Sequence, residues 1–402
     1  MVNEACLEEY AALIVKEGIQ LHQGEQVLIN SDVSIWPMAE RVSRMCYQNG
    51  ASRVVIHWSS SREEAMDYAY GDLEKLTRVD DSLIAMYQEQ SEQLPCLIHL
   101  LTSDPQQFNE KVQAEVRNAK MEKLMPYILK MRGNYRWTAV CIPSESWAEQ
   151  VFPEEADRLD HLWKDVLSAL MINGDGSSIE RWQEKFRSMW KHMDSLNGLD
   201  LRSLHLHSEL GTDLTVSLHE KAMFACASGP EDGMAVNLPS EELFTSPIAG
   251  KAEGTLVASC PLVYENTLIE NLKLQVQNGK VSGVHASRGE DFMKHLVQTD
   301  EGASMLGEVA IVDRHSPIRA LGHLLYHTLF DENAACHVAI GRGFPFVLKD
   351  YRNMTSEQIH ACGINESAIH CDIMWGTDEA GIDGTDRNGN VIAIMKHGEW
   401  QL

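Results

Sequence analysis

The chain has 402 residues, 44% hydrophobic and 23% charged, the composition of an ordinary globular protein and more length than one core usually organises, so two domains are expected. Its 34 basic against 59 acidic residues give a formal net charge of −25, a field that repels phosphate and argues against nucleic acid or an anionic membrane as partner. No apolar run is long enough to span a bilayer, the N-terminus (MVNEACLEEY) is acidic where a signal peptide is basic and then apolar, and the nine cysteines are scattered with no C-x-x-C pair. Reduced thiols and a cytoplasmic location are therefore expected.

Residues 26–30 (QVLIN) read as a strand, 37–48 as an amphipathic helix closed by Asn49-Gly50, and 52–58 (SRVVIHW) as a second strand. Further strands are expected at 96–101 and 137–143, separated by a long helical stretch over 105–130. This alternation predicts a parallel sheet covered by helices. The loop GDGSS (174–178) opens a helix over 179–193, and the domain boundary is placed at the Ser195-Leu-Asn-Gly198 stop, giving an α/β domain over 1–197 and a second domain over 198–402. The loop has neither the spacing nor the preceding strand of a phosphate cradle, so a nucleotide site is not supported.

Beyond residue 198 the pattern changes to short strands and turns. Residues 272–276 alternate, Asn278-Gly279 supplies a two-residue hairpin turn, and 280–287 return; a second such signal, Asn388-Gly389, precedes the apolar run 391–395. A β-rich α+β domain with helices over 289–297, 318–328 and 355–362 is predicted.

Only five of the 17 histidines (His22, His57, His99, His161, His192) precede residue 200, which directs the search for a nitrogen-ligand site to the second domain. There His370 and Asp372 stand two apart in an apparent strand, so both side chains share one face and can converge on a cation. The same spacing describes a polar pair on a solvated face. Glu242 (SEELFTSP), Glu308 (MLGEVAIV) and His337 (ENAACHVAIG) are likewise set among apolar or small residues. A carboxylate so placed needs a counter-charge, and for Glu308 either a metal, a base such as Arg314 or exposure on an edge strand would serve. Together these five groups form a thiolate-free set suited to Zn, Co or Mn, and enough for two adjacent ions that activate one water.

The segments LGTDLTVSL (210–218), NLPSEELFTSP (237–247), LVYENTLIE (262–270), GASMLGEVAIV (302–312), TLFDENAACHVAIG (328–341) and INESAIHCDIMWGT (364–377), with KEGIQLHQGEQVLIN, GASRVVIHW and SWAEQVFP in the first half, resemble the aminopeptidase T family of thermophilic-type metallo-aminopeptidases, also called PepS/AmpS-like. The resemblance covers nearly the whole chain. It implies a homodimeric exopeptidase acting on peptides, with two divalent ions in the second domain held by Glu242, Glu308, His337, His370 and Asp372. Glu242 or Glu308 then carries the proton to the leaving amine. One position departs from the family pattern. A site tyrosine seven residues after the histidine is replaced here by Phe344, which is expected to line the site without a hydroxyl, although Tyr351 stands nearby in sequence. A catalytically weak or repurposed relative that binds peptide or metal is the alternative this departure raises.

Overall fold

The computed structural model describes residues 2–104, 110–131, 135–228, 236–265 and 267–402. The chain divides into two compact units, Met1–Trp182 with Ser228–Leu238, and Gln183–Ala227 with Pro239–Leu402. The helix Ser178–Gly198 runs through the stop signal at 195–198 where the sequence places the boundary.

The first unit is built on a five-stranded sheet in the order Arg53–Ser59, Gln26–Asp32, Cys96–Leu101, Trp137–Cys141, Val236–Leu238, every neighbouring pair parallel. Parallel strands covered on both faces need continuous apolar runs, and Val27, Leu28 and Ile29 are buried in succession. The helix Trp36–Gln48 follows with Pro37 in its first turn and buries Met38, Ala39, Val42 and Cys46, one stripe at helical spacing. It stops at Asn49-Gly50, where Gly50 takes a left-handed φ of 98°. Of the helix expected over 105–130, residues 110–131 are helical, and 105–109 lie outside the described residues.

The second unit is antiparallel. An eight-stranded sheet runs Lys280–His285, Lys273–Gln277, Ala252–Val257, Asp213–Ser217, Leu201–His207, Gly381–Asp386, Val391–Lys396, Glu399–Trp400, and a four-stranded sheet runs His370–Met374, His337–Gly341, Leu306–Val312, Glu242–Thr245. The turn expected at Asn278-Gly279 is present, both residues having positive φ (51° and 76°), as a type I′ hairpin requires.

The helix expected over 318–328 does not form. Only a 3₁₀ turn at Arg319–Leu321 and one helical turn at Thr328–Asp331 occur. Gly322 and Tyr326 sit in the left-handed region (77° and 55°), and the Asp331 carboxylate accepts from the backbone N–H of Leu325 and of His327, so a side chain satisfies donors that a continuous helix would otherwise pair. No helix among the described residues is long and apolar enough to cross a membrane, and no disulfide joins any of the nine cysteines.

Candidate metal centre

All five side chains singled out in the sequence lie on the four-stranded sheet. Glu242 opens the strand Glu242–Thr245, His337 opens His337–Gly341, Glu308 lies within Leu306–Val312, and His370 and Asp372 stand two apart on His370–Met374. Strand pairing puts Glu308, Ala339 and Asp372 in one row, and Ala310 beside His337 in the next. The two alanines leave the middle of this face open, so groups on opposite sides can approach one another above it. Glu308 is on an interior strand, buried along its whole length, not on an edge, and Arg314 pairs with Glu399 instead of with Glu308.

The counter-charges are imidazoles. His337 Nε2 lies 3.0 Å from Glu242 Oε2, and His370 Nε2 lies 3.1 Å from Glu308 Oε2 and 3.2 Å from Asp372 Oδ1. Each imidazole is aimed by its other nitrogen, since Nδ1 of His370 donates to the Arg342 carbonyl (2.7 Å) and Nδ1 of His337 to that of Ala335 (3.2 Å). A carbonyl can only accept, so the proton is fixed on Nδ1 and Nε2 is directed at the carboxylates. Two sets of possible ligand atoms result, Glu242–Glu308–His337 and Glu308–His370–Asp372, with the atoms of each set within 4.8 Å of one another and Glu308 common to both.

Burial, reinforced by the Glu242 and Asp372 charges against the opposing bond from His370, pushes the Glu308 carboxyl up to about 7. For the imidazoles burial disfavours charge, but Glu242 outweighs it at His337, raised to about 10, and Asp372 with Glu308 outweighs it at His370, raised to about 11. Burial also opposes charge on Asp372, yet His370 brings its carboxyl below the usual value.

A further acid meets this centre that the sequence reading did not single out. Burial drives the Glu332 carboxyl well above its ordinary value, followed by repulsion from Asp372 and Glu242, so Glu332 stands against the same charges. Its signal was present in TLFDENAACH, where two adjacent acids interrupt an apolar turn. Asp331 is the one that caps the backbone, which leaves Glu332 without that local role. With Glu332 included, four carboxyl groups surround two imidazoles, and the buried Asp372 Oδ1 has only the ion-pair contact of 3.2 Å to His370 Nε2, with no well-aligned hydrogen bond. More buried carboxyl groups than imidazoles can neutralise, with two of them held up by burial and then by repulsion from their neighbours, is a donor set that divalent cations would relieve.

Phe344 adjoins this centre. Its ring centroid is 5.1 Å from that of His370, it packs on Phe346 (5.3 Å) and Phe244 (5.6 Å), and its backbone N–H donates to Ser246 Oγ at 2.8 Å. The Tyr351 hydroxyl accepts from Arg352 Nε at 3.4 Å, while its ring packs against the apolar cluster around Phe244.

A family model described as thermophilic metalloprotease (M29) matches residues 3–400. The chain is 31% identical over 403 residues to aminopeptidase AmpS of Bacillus subtilis and 30% identical over 405 residues to aminopeptidase T of Thermus thermophilus, each alignment covering 98% of both chains. The solved structure of wild-type AmpT from Thermus thermophilus superposes with a TM-score of 0.87 at 27% identity over 99% of both chains. A 2,5-dihydroxypyridine dioxygenase from Pseudomonas putida superposes with a TM-score of 0.54 at 16% identity over 100% of this chain and 98% of the other, which is a likeness of fold alone.

Proposed function

Because the chain belongs to the thermophilic metalloprotease (M29) family, it is a metallo-aminopeptidase, and we propose that it removes N-terminal residues from peptides with a water activated between two divalent ions, Zn, Co or Mn. The observation that carries the two-ion reading is the pair of ligand sets sharing Glu308. Glu242, Glu308 and His337 would hold one ion, and Glu308, His370 and Asp372 the other. Ions bound there supply a Lewis acid for the scissile carbonyl and bring the pKa of a water toward neutrality.

The chain's own groups do the rest. The carbonyls of Arg342 and Ala335 hold the two imidazoles in register through Nδ1. Glu242 and Glu308 are each engaged with an imidazole, so among the site glutamates we assign to Glu332 the role of taking the proton from the attacking water and returning it to the leaving amine. Its carboxyl, held up by burial and by the neighbouring acids, would ionise once bound cations offset them. Phe344 and Phe346 present an apolar wall beside His370, which limits water at the reacting end. Dialysis against a strong chelator should remove hydrolysis of aminoacyl reporter substrates, and Zn, Co or Mn should restore it. Full activity in thoroughly demetallated protein would refute the reading.

A weakened relative is the second reading, favoured by the Phe344 ring standing beside His370 where the family pattern has a phenol. Loss of one transition-state hydrogen bond costs about 10²–10³ in turnover in other enzymes. Tyrosine adds only a hydroxyl to the ring already accommodated, so Phe344→Tyr should fold normally. It should gain about tenfold or more in kcat/KM, roughly 1.4 kcal/mol of transition-state stabilisation. Unchanged kcat/KM at equal metal content would mean that another donor already serves the site.

The absence of disulfides suits a reducing compartment, and we retain a cytoplasmic location with peptides as partners. We also infer a homodimer from the family resemblance. Light scattering should give about twice the 45.2 kDa chain mass, and a particle of one chain mass would reject the dimer.

A further inference from the structure

A second group of ligand-type side chains lies on the eight-stranded sheet, a different sheet from that of the carboxylate centre. His205 and His207 stand two apart on Leu201–His207, so both imidazoles project from one face. Asp213 is directly opposite His207 on one neighbouring strand, and Asp383 is directly opposite His205 on the other, which brings both carboxylates to that same face. The contacts run diagonally. His205 Nε2 is 2.8 Å from Asp213 Oδ1, and His207 Nε2 is 3.6 Å from Asp383 Oδ2, so each imidazole reaches along the strand toward the level of the other. The two ring centroids are 5.4 Å apart.

The position of His207 depends on a glycine. Gly381 is its partner on the adjacent strand, and a Cβ there would stand 2.2 Å from His207 Cε1, so any side chain at 381 would displace the ring. All four groups remain accessible, with side-chain exposures of 42% and 43% for the histidines and 81% and 34% for Asp213 and Asp383, and the chain's charge of −25 draws cations to the surface.

We propose that His205, His207, Asp213 and Asp383 form a peripheral site for one divalent transition-metal ion of the zinc class, distinct from the catalytic pair. Imidazole and carboxylate without thiolate is a donor set that zinc, nickel and copper accept. As placed, each Nε2 faces its own carboxylate, and the ligand atoms are not gathered as closely as in the buried centre. An ion would be held once both exposed imidazoles turn their Nε2 atoms inward, with the carboxylates completing its charge. The exposed setting demands more side-chain ordering on binding than the buried centre does, so this ion binds more weakly and exchanges more freely.

Zinc content measured by equilibrium dialysis of the full chain separates this site from the buried one. The His205→Ala/His207→Ala double variant should lose one equivalent of zinc relative to wild type and keep its peptidase activity. Glu308→Ala should keep the equivalent that this double variant loses, so an error in the reading of the buried centre would appear in the Glu308 arm and not here. Asp383→Asn, the milder change, should weaken binding of the peripheral ion about tenfold with an unchanged melting temperature. Equal zinc content and equal affinity in wild type and in the folded double variant would overturn the proposal, leaving two ordinary histidine–aspartate pairs on a solvated sheet.

Discussion

Glu308→Ala should reduce peptide hydrolysis by about 10⁴-fold or more, roughly 5.5 kcal/mol of transition-state stabilisation, and should lower bound metal in parallel. Glu308 is the one group common to both ligand sets, so its removal damages two ion sites at once, whereas loss of Glu242 or Asp372 touches one. The fold should survive. Burial raises the Glu308 carboxyl from 4.5 to about 7, so its protonated form is the one the folded protein favours. The sign follows directly: a carboxyl with a raised folded pKa supports folding at low pH and loses that contribution as pH rises through 4.5 to 7. At pH 8 that contribution is gone, and the metal-free variant should differ from the metal-free wild type only by the lost His370 contact and the space Glu308 leaves, a smaller loss than at pH 5. Metal analysis, a reporter-substrate assay and thermal melts at pH 5 and pH 8 test all three statements. A variant that fails to fold would indicate that Glu308 is a structural ion-pair residue, and one with near-normal activity would remove the shared carboxylate from the mechanism.

Glu332→Gln should lower kcat by about 10²–10⁴, roughly 2.7–5.5 kcal/mol, the range seen when a positioned acid or base is lost. The substitution keeps shape and removes only the ability to exchange a proton. Its effect should therefore fall on kcat, with KM and metal content close to those of wild type. Glu332 feels the charges of Asp372, Glu242, His337 and Glu308, which assigns it to the same centre. Undiminished kcat would return the proton-transfer role to Glu242 or Glu308. Loss of metal together with activity would make Glu332 a ligand instead.

Much of this architecture is written locally. The apolar runs 26–30 and 96–101, the stripe of Met38, Ala39, Val42 and Cys46 and the Asn278-Gly279 turn each lie within one element, and each formed as its pattern indicates. The same holds for the α/β character of the first half and the antiparallel second half, because side-chain periodicity reports which faces an element must bury. Where a side chain from farther along intervenes, the local pattern misleads. Residues 318–328 carry a helical texture, but Asp331 takes their backbone donors and Gly322 and Tyr326 turn the chain.

By itself the sequence determined the ligand types, their enrichment in the second half and, through the ordered motifs from 210 to 377, the family resemblance. Only the tertiary structure decided that Glu242, Glu308, His337, His370 and Asp372 meet, because the meeting depends on antiparallel register between strands far apart in the chain and on small residues at 310 and 339 beneath the groups. It alone also brought in Glu332, whose electrostatic neighbours are distant in sequence, and set Asp213 and Asp383 beside His205 and His207. The division has one physical cause: periodicity and turn chemistry act over a few residues, whereas buried charge is decided by whichever groups cross-strand pairing places within a few ångströms.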